Sequence, residues 1–157
     1  MNISEALQLN RINASLKSKT KKELLNEVLD LFKNDDAVKN LAAVRKAVLD
    51  REEIMSTGVG EGFAIPHGKT NSVEGIIAAF GRTVEPVDFD SLDNKPVRLI
   101  FVLVGRENLV GPHIKLLSRI SRMMNKAEFR EKLLQAKDNQ EIYDLFKKEE
   151  EKDINLS

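Results

Sequence analysis

Between Ser56 and Gly68 the chain carries Gly58, Gly60, Gly62, Pro66 and Gly68 within eleven residues. No regular helix survives that density, because glycine loses most backbone entropy in a helix and proline removes an amide donor. The segment separates two unlike stretches. Before it, Thr20 and Glu23 have capping-box spacing, and Leu24, Leu25, Val28, Leu29 and Phe32 recur at helical intervals. They predict a helix over 21–33. After the break at Asn34, Asp35 and Asp36, Val38, Leu41, Ala42, Val44, Val48 and Leu49 predict a second helix over about 37–52. Residues 11–18 alternate weakly, as a strand would.

Within and beyond the glycine-rich run the pattern turns to strands. Phe63, Ala64 and Ile65 read as a short strand leading to His67. Ile76–Phe80 and Val97–Val104 are apolar, rich in β-formers and bounded by breakers, so both read as buried strands. Gly111 and Pro112 then open a third long helix with Ile114, Leu117, Ile120 and Met124 on its apolar side. Helices over about 127–136 and 139–150 follow, the last with Asp138 three residues before Glu141 as a capping signal. Helices at both ends and strands in the middle predict an α/β sheet covered by helices, whose strand order the pattern does not give.

Composition removes several functions. The chain has 157 residues, 41% hydrophobic and 32% charged, which suits one compact domain over 1–157. Lys plus Arg and Asp plus Glu are both 25, so no excess positive charge favours nucleic acid. The absence of cysteine removes disulfides, thiolate metal sites and cysteine nucleophiles, and fits a reducing cytoplasm. Residues 1–16 lack the basic and apolar blocks of a signal peptide, and the longest apolar run, Leu99–Val104, is far too short to span a bilayer. The dense charge run Lys147–Lys152 reads as a frayed, solvated helix end.

Three motifs compete in the central run. Gly68-Lys69-Thr70 suggests a nucleotide-binding loop, and with it a nucleotide hydrolase. However, five residues separate Gly62 from Gly68 where the loop needs four, and Pro66 offers no N–H. Gly58, Gly60 and Gly62 resemble half a dinucleotide fingerprint, but a strand-like segment follows where a helix should start. The third candidate is His67. Pro66 stiffens its approach, and Gly68 leaves room for an anion near the backbone. Neutral imidazole, with an ordinary pKa of about 6.5, is a competent nucleophile near neutrality. Residue chemistry alone leaves a packed or surface histidine equally open.

His113, the only other histidine, follows Pro112 in the first turn of its helix. The positive helix end disfavours imidazolium, and free amides there favour anions. A neutral His113 can donate to a phosphoryl oxygen or to His67, although a polar residue tolerated at a helix start needs no function. Arg51 ends the second helix and can neutralise a phosphoryl group, or pair with Asp50, Glu52 or Glu53 at the surface. Lys69 is a weaker candidate. Lys115, Arg119, Arg122 and Lys126 share a helical face that reads as solvated surface or as a stripe for an acidic partner. Two distant histidines without cysteine form no zinc signature.

The stretch Ser56-Thr-Gly-Val-Gly-Glu-Gly-Phe-Ala-Ile-Pro-His-Gly-Lys-Thr70 resembles the IIA component of the bacterial phosphoenolpyruvate–sugar phosphotransferase system. The resemblance is to its fructose/mannitol branch, which also contains the nitrogen-regulatory IIA proteins. It extends over about residues 3–147, through Arg51-Glu52, Pro96-Val-Arg-Leu-Ile-Phe-Val-Leu103 and His113-Ile-Lys-Leu-Leu117, and leaves 148–157 as a charged tail. Phe63 departs from it, standing where small or aliphatic residues are common. The resemblance implies a three-layer α/β sandwich with a mixed sheet of about five strands. It implies a cytoplasmic phosphotransferase with a phosphohistidine intermediate: His67 phosphorylated, usually at Nε2, His113 supporting the phosphoryl group and Arg51 stabilising its charge. The implied donor is HPr, charged by enzyme I, and the acceptor is a IIB component in sugar uptake. The alternative is a nitrogen-regulatory protein that controls partners according to its phosphorylation state. No metal, organic cofactor or membrane insertion is implied.

Overall fold

The structure is a computed structural model that describes residues 1–156. Among them, six helices cover both faces of a mixed sheet. The helices are α1 (Ile3–Leu7), α2 (Lys21–Leu29), α3 (Leu41–Ile54), α4 (Val110–Met124), α5 (Ala127–Gln135) and α6 (Asn139–Leu156). The strands are β1 (Ile12–Leu16), β2 (Gly58–Gly60), β3 (Phe63–Ala64), β4 (His67–Lys69), β5 (Ile76–Val87) and β6 (Val97–Gly105). No helix among the described residues is long and apolar enough to cross a membrane.

The strands follow the order β1-β5-β6-β3-β2, and β4 also pairs with β6. The antiparallel β5–β6 pair is the centre, with Phe80 opposite Phe101. Both β3 and β4 run parallel to β6 in one unbroken register, Phe63 opposite Leu99 and His67 opposite Leu103. They are one strand interrupted at Ile65–Pro66, where proline has no N–H to offer the ladder. This is why about five strands describes the sheet as well as six.

Strand alternation sends successive side chains to opposite faces. Phe80, Leu99, Phe101 and Leu103 join a core covered by α1, α4, α5 and α6, where Phe146 contacts Phe80, Phe101 and Phe129 at centroid distances of 5.0, 5.5 and 5.3 Å. Ile77, Ala79, Ile100, Val102 and Val104 join a second core under α2 and α3.

Thr20 caps α2, accepting from the Glu23 amide at 3.2 Å as its spacing predicts, but α2 ends at Leu29 and a 3-10 turn carries the chain to Phe32. The second helix starts later than 37, because Asn40 caps it through the Ala43 amide and Val38 is taken by a bridge to Val73. The strand at Ile76 runs on to Val87, well past Phe80.

The run Lys147–Lys152 is not a frayed end. It lies within α6, and the buried Glu150 carboxylate accepts from the first amides of α1, Ile3 at 2.5 Å and Ser4 at 3.3 Å. Three members of the basic stripe of α4, although Arg122 is exposed, are paired within the chain. Arg119 pairs with Glu150 at 3.1 Å, Arg122 with Asp153 at 3.1 Å and Lys126 with Glu149 at 3.0 Å. Its acidic partner is α6.

Gly68 has a role the sequence did not suggest. A Cβ there would lie 3.0 Å from the Ala47 carbonyl carbon and 3.1 Å from the Val48 amide nitrogen. The missing side chain lets the backbone of α3 pack on β4, rather than admitting an anion. Because backbone cannot swing aside, Gly68→Ala should destabilise the protein by about 1–3 kcal/mol, read as a lower denaturant midpoint at unchanged m-value.

Candidate functional site

Two constraints place His67. Pro66 breaks the ladder, yet its carbonyl still accepts the Leu103 amide at 3.1 Å, so the strand resumes in register at His67. The imidazole then folds back so that Nδ1 lies 2.9 Å from the Ile65 carbonyl oxygen. A carbonyl only accepts, so Nδ1 carries the proton and Nε2 keeps its lone pair. The ring is half-buried rather than fully exposed. Burial is the largest influence on it and lowers its pKa below 6.5. The Ile65 bond opposes that shift, and the nearby charge of Arg51 adds to it.

His113 comes from the other side of the sequence to meet it. The two ring centroids are 6.1 Å apart, with planes tilted by 60°. His113 is 1% exposed, and neither ring nitrogen has a hydrogen-bond partner among the described residues. An orphaned buried imidazole costs free energy, which a ligand accepting its N–H would recover. Gly105, at the end of β6, makes the space: a Cβ there would stand 2.8 Å from His113 Nδ1.

Burial is the first cause that pushes the His113 pKa down to about 4, followed by the charges of His67 and Lys69. Its amide is not free. α4 begins at Val110, and the His113 N–H donates to the Leu109 carbonyl at 3.0 Å. With Pro112 lacking an N–H, Val110 and Gly111 are the first-turn amides that remain for an anion.

Arg51 lies in the last turn of α3, half-buried. It forms no ion pair with Asp50, Glu52 or Glu53; its Nη1 donates to the Met55 carbonyl at 3.0 Å. Its charge is nonetheless felt at His67. Lys69, exposed on β4, lowers the proton affinity of both rings and so lies closer to the site than the sequence suggested. The helix ends that carry Arg51 and His113 also present exposed apolar side chains, Ile54 and Met55 on one and Val110 and Ile114 on the other. Gly68-Lys69-Thr70 leads out of a strand into a turn, not into the helix a nucleotide loop needs. Among the described residues, no group of three or more His, Cys, Asp or Glu is placed to hold a metal ion.

Sequence reasoning missed Gly105 and Glu52. Glu52 reads as a surface acid beside Arg51, yet it is 5% exposed and accepts from the Thr57 amide at 2.8 Å, the Thr57 hydroxyl at 2.5 Å and Lys21 at 3.1 Å. Nothing in the spacing of one acid distinguishes it from its neighbour Glu53.

The depressed pKa values carry a sign. Below 6.5 the unfolded chain protonates its histidines more readily than the folded chain, so the folded state binds fewer protons. Histidine-linked stability is therefore complete at neutral pH and declines as pH falls from 6.5 through about 4. Chemical denaturation across that range should show the decline. Imidazole 15N shifts should show His113 neutral until about pH 4 and His67 as the Nδ1–H tautomer at pH 7.

Comparison with known proteins connects this geometry to a family. Residues 5–149 match the family model described as phosphoenolpyruvate-dependent sugar phosphotransferase system, EIIA 2. The chain is 37% identical over 145 residues to the PTS system fructose-specific EIIABC component of Bacillus subtilis, covering 92% of this chain but only 23% of that protein. It is also 37% identical to a nitrogen regulatory protein of Bradyrhizobium diazoefficiens, covering 91% of this chain and 93% of the relative. Its fold matches the crystal structure of nitrogen regulatory protein IIA-Ntr from Neisseria meningitidis with a TM-score of 0.86 at 36% identity, over 92% of this chain and 98% of the other. Two histidines brought together by a broken strand and a helix start thus lie within a match running almost from end to end, and the chain belongs to the EIIA type 2 family of the sugar phosphotransferase system.

Proposed function

We propose that this phosphotransferase-system IIA protein carries a phosphoryl group on Nε2 of His67. The observation that supports this most is the Nδ1 bond to the Ile65 carbonyl, which leaves the other nitrogen nucleophilic beside an unpartnered second ring. In the forward step Nε2 attacks phosphorus, and the bond to the donor atom breaks with its electron pair leaving on the donor. Positive charge then grows on the His67 ring, where the Ile65 carbonyl receives it through Nδ1–H. His113, neutral at working pH, donates a ring N–H to a phosphoryl oxygen. Arg51 and the amides of Val110 and Gly111 offset the remaining negative charge. The second transfer runs the same steps towards the acceptor.

The donor in this reading is HPr, charged by enzyme I from phosphoenolpyruvate. The exposed Ile54, Met55, Val110 and Ile114 supply an apolar border on which donor and acceptor dock in turn. The acceptor is a IIB component in sugar uptake of the fructose/mannitol class. The fructose-specific name of the Bacillus relative supports that assignment, and a mannitol IIA protein of the same fold has been solved in complex with phosphorylated IIB. The nitrogen regulatory relatives support a second reading with the same chemistry, in which the phosphorylation state governs binding to a regulated protein. Transfer of phosphate to a IIB domain distinguishes the first, and phosphorylation-dependent capture of a partner without transfer distinguishes the second.

Incubation with phosphoenolpyruvate, enzyme I and HPr should add one acid-labile phosphoryl group to the wild-type protein, read by intact mass. His67→Ala should take none. His113→Ala and Arg51→Ala should slow transfer by roughly 10²–10³-fold. Normal labelling of His67→Ala would overturn the proposal.

A further inference from the structure

The carbonyl that orients His67 is itself held by a chain of contacts that starts at a buried acid. His67 Nδ1–H donates to the Ile65 carbonyl at 2.9 Å. The Ile65 amide in turn donates to the Thr57 carbonyl at 3.2 Å. Thr57 is gripped twice by Glu52, through its amide at 2.8 Å and its hydroxyl at 2.5 Å. Glu52 is buried, anchored on α3 and paired with Lys21, whose ammonium also stands 4.7 Å from the centre of the Phe89 ring.

We infer that Glu52 is a positioning residue for the transfer reaction: by clamping Thr57 it fixes the Ile65 peptide and thereby the orientation and tautomer of His67. The inference rests on the reading of His67 as the phosphorylated group.

The geometry leaves few other ways to hold that peptide. On its far side Pro66 contributes only a carbonyl, bound to the Leu103 amide. On its near side the Thr57 carbonyl is the partner of the Ile65 amide, and Thr57 lies in the irregular link between α3 and β2. Without Glu52 neither the amide nor the hydroxyl of Thr57 keeps its present acceptor, and both are buried. The link would then shift to rehydrate them. A shift of that size in the Ile65 carbonyl frees the imidazole to rotate and to adopt the Nε2–H tautomer, which has no lone pair at the reacting nitrogen. Small displacements of a reacting group cost large factors in rate.

Glutamine separates position from charge. Its carbonyl can accept the Thr57 amide while its NH2 donates to the Thr57 hydroxyl, so Glu52→Gln preserves the clamp and loses only the ionic pairing with Lys21.

The test combines imidazole 15N shifts of His67 with transfer kinetics from phospho-HPr, on Glu52→Ala, Glu52→Gln and Thr57→Val. Glu52→Ala should raise the Nε2–H population of His67 and lower kcat by roughly tenfold or more, with KM for phospho-HPr nearly unchanged. Glu52→Gln should restore both the tautomer and most of kcat. Thr57→Val keeps the amide contact and the side-chain shape, and so decides the matter should Glu52→Ala fail to fold. It should shift the tautomer in the same direction and lower kcat by a smaller factor. A wild-type His67 tautomer in a folded Glu52→Ala, or in Thr57→Val, overturns the inference. The tautomer is read without any phosphate, so failure of the phosphorylation reading would appear separately, as absence of labelling on wild-type His67.

Discussion

The parallel pairing of residues 63–69 with β6 is the contact on which the rest depends. It holds the same register on both sides of Pro66, so the strand is interrupted without being displaced. Strand alternation turns the Ile65 amide towards Thr57 and its carbonyl away from β6, where the imidazole two residues later can reach it. The carbonyls of Gly62 and Pro66 face β6, so that of Ile65 faces the opposite side, and a longer break would lose the register that sets His67 opposite Leu103. On one face of this strand Gly68 lets α3 approach, bringing Arg51; at the end of β6, Gly105 admits the ring of His113 from α4. Both layers of helices thus contribute to one site because the strands between them lack a side chain at Gly68 and Gly105.

Electrostatics follow from the same arrangement. Two imidazoles 6.1 Å apart, both withdrawn from water, resist protonation together, because each charge would disfavour the other. The cationic side chains Arg51 and Lys69 push in the same direction. These are also the conditions that favour a dianionic group. The site is poised for negative charge by excluding its own positive charge from the rings and placing it nearby on longer side chains.

Much of this was legible in the amino-acid sequence. The density of glycine and proline before His67 excluded a helix, and apolar runs bounded by breakers gave both central strands. The helical intervals of Leu24 to Phe32 were sound because local periodicity and a cap agreed. What was hidden depended on contacts between distant residues. The start of α3 was misplaced because Val38 is claimed by Val73, thirty-five residues away in the chain. The charge run of α6 looked solvated because nothing local reveals that Glu150 meets the first amides of α1, or that α4 supplies its counter-ions. His67, His113 and Arg51 stood out as chemistry, but that they converge is a property of the sheet. Glu52 stayed hidden because burial, not residue type, distinguishes it from Glu53.

The cavity above Gly105 is shaped around one imidazole, with less than a methyl group to spare. Residues 105 and 113 therefore form a matched pair across the sheet and helix layers. A bulkier residue at the first would displace the ring at the second and crowd Ile76 as well. The two positions are thus coupled sterically, so that a change at either one is felt at the other.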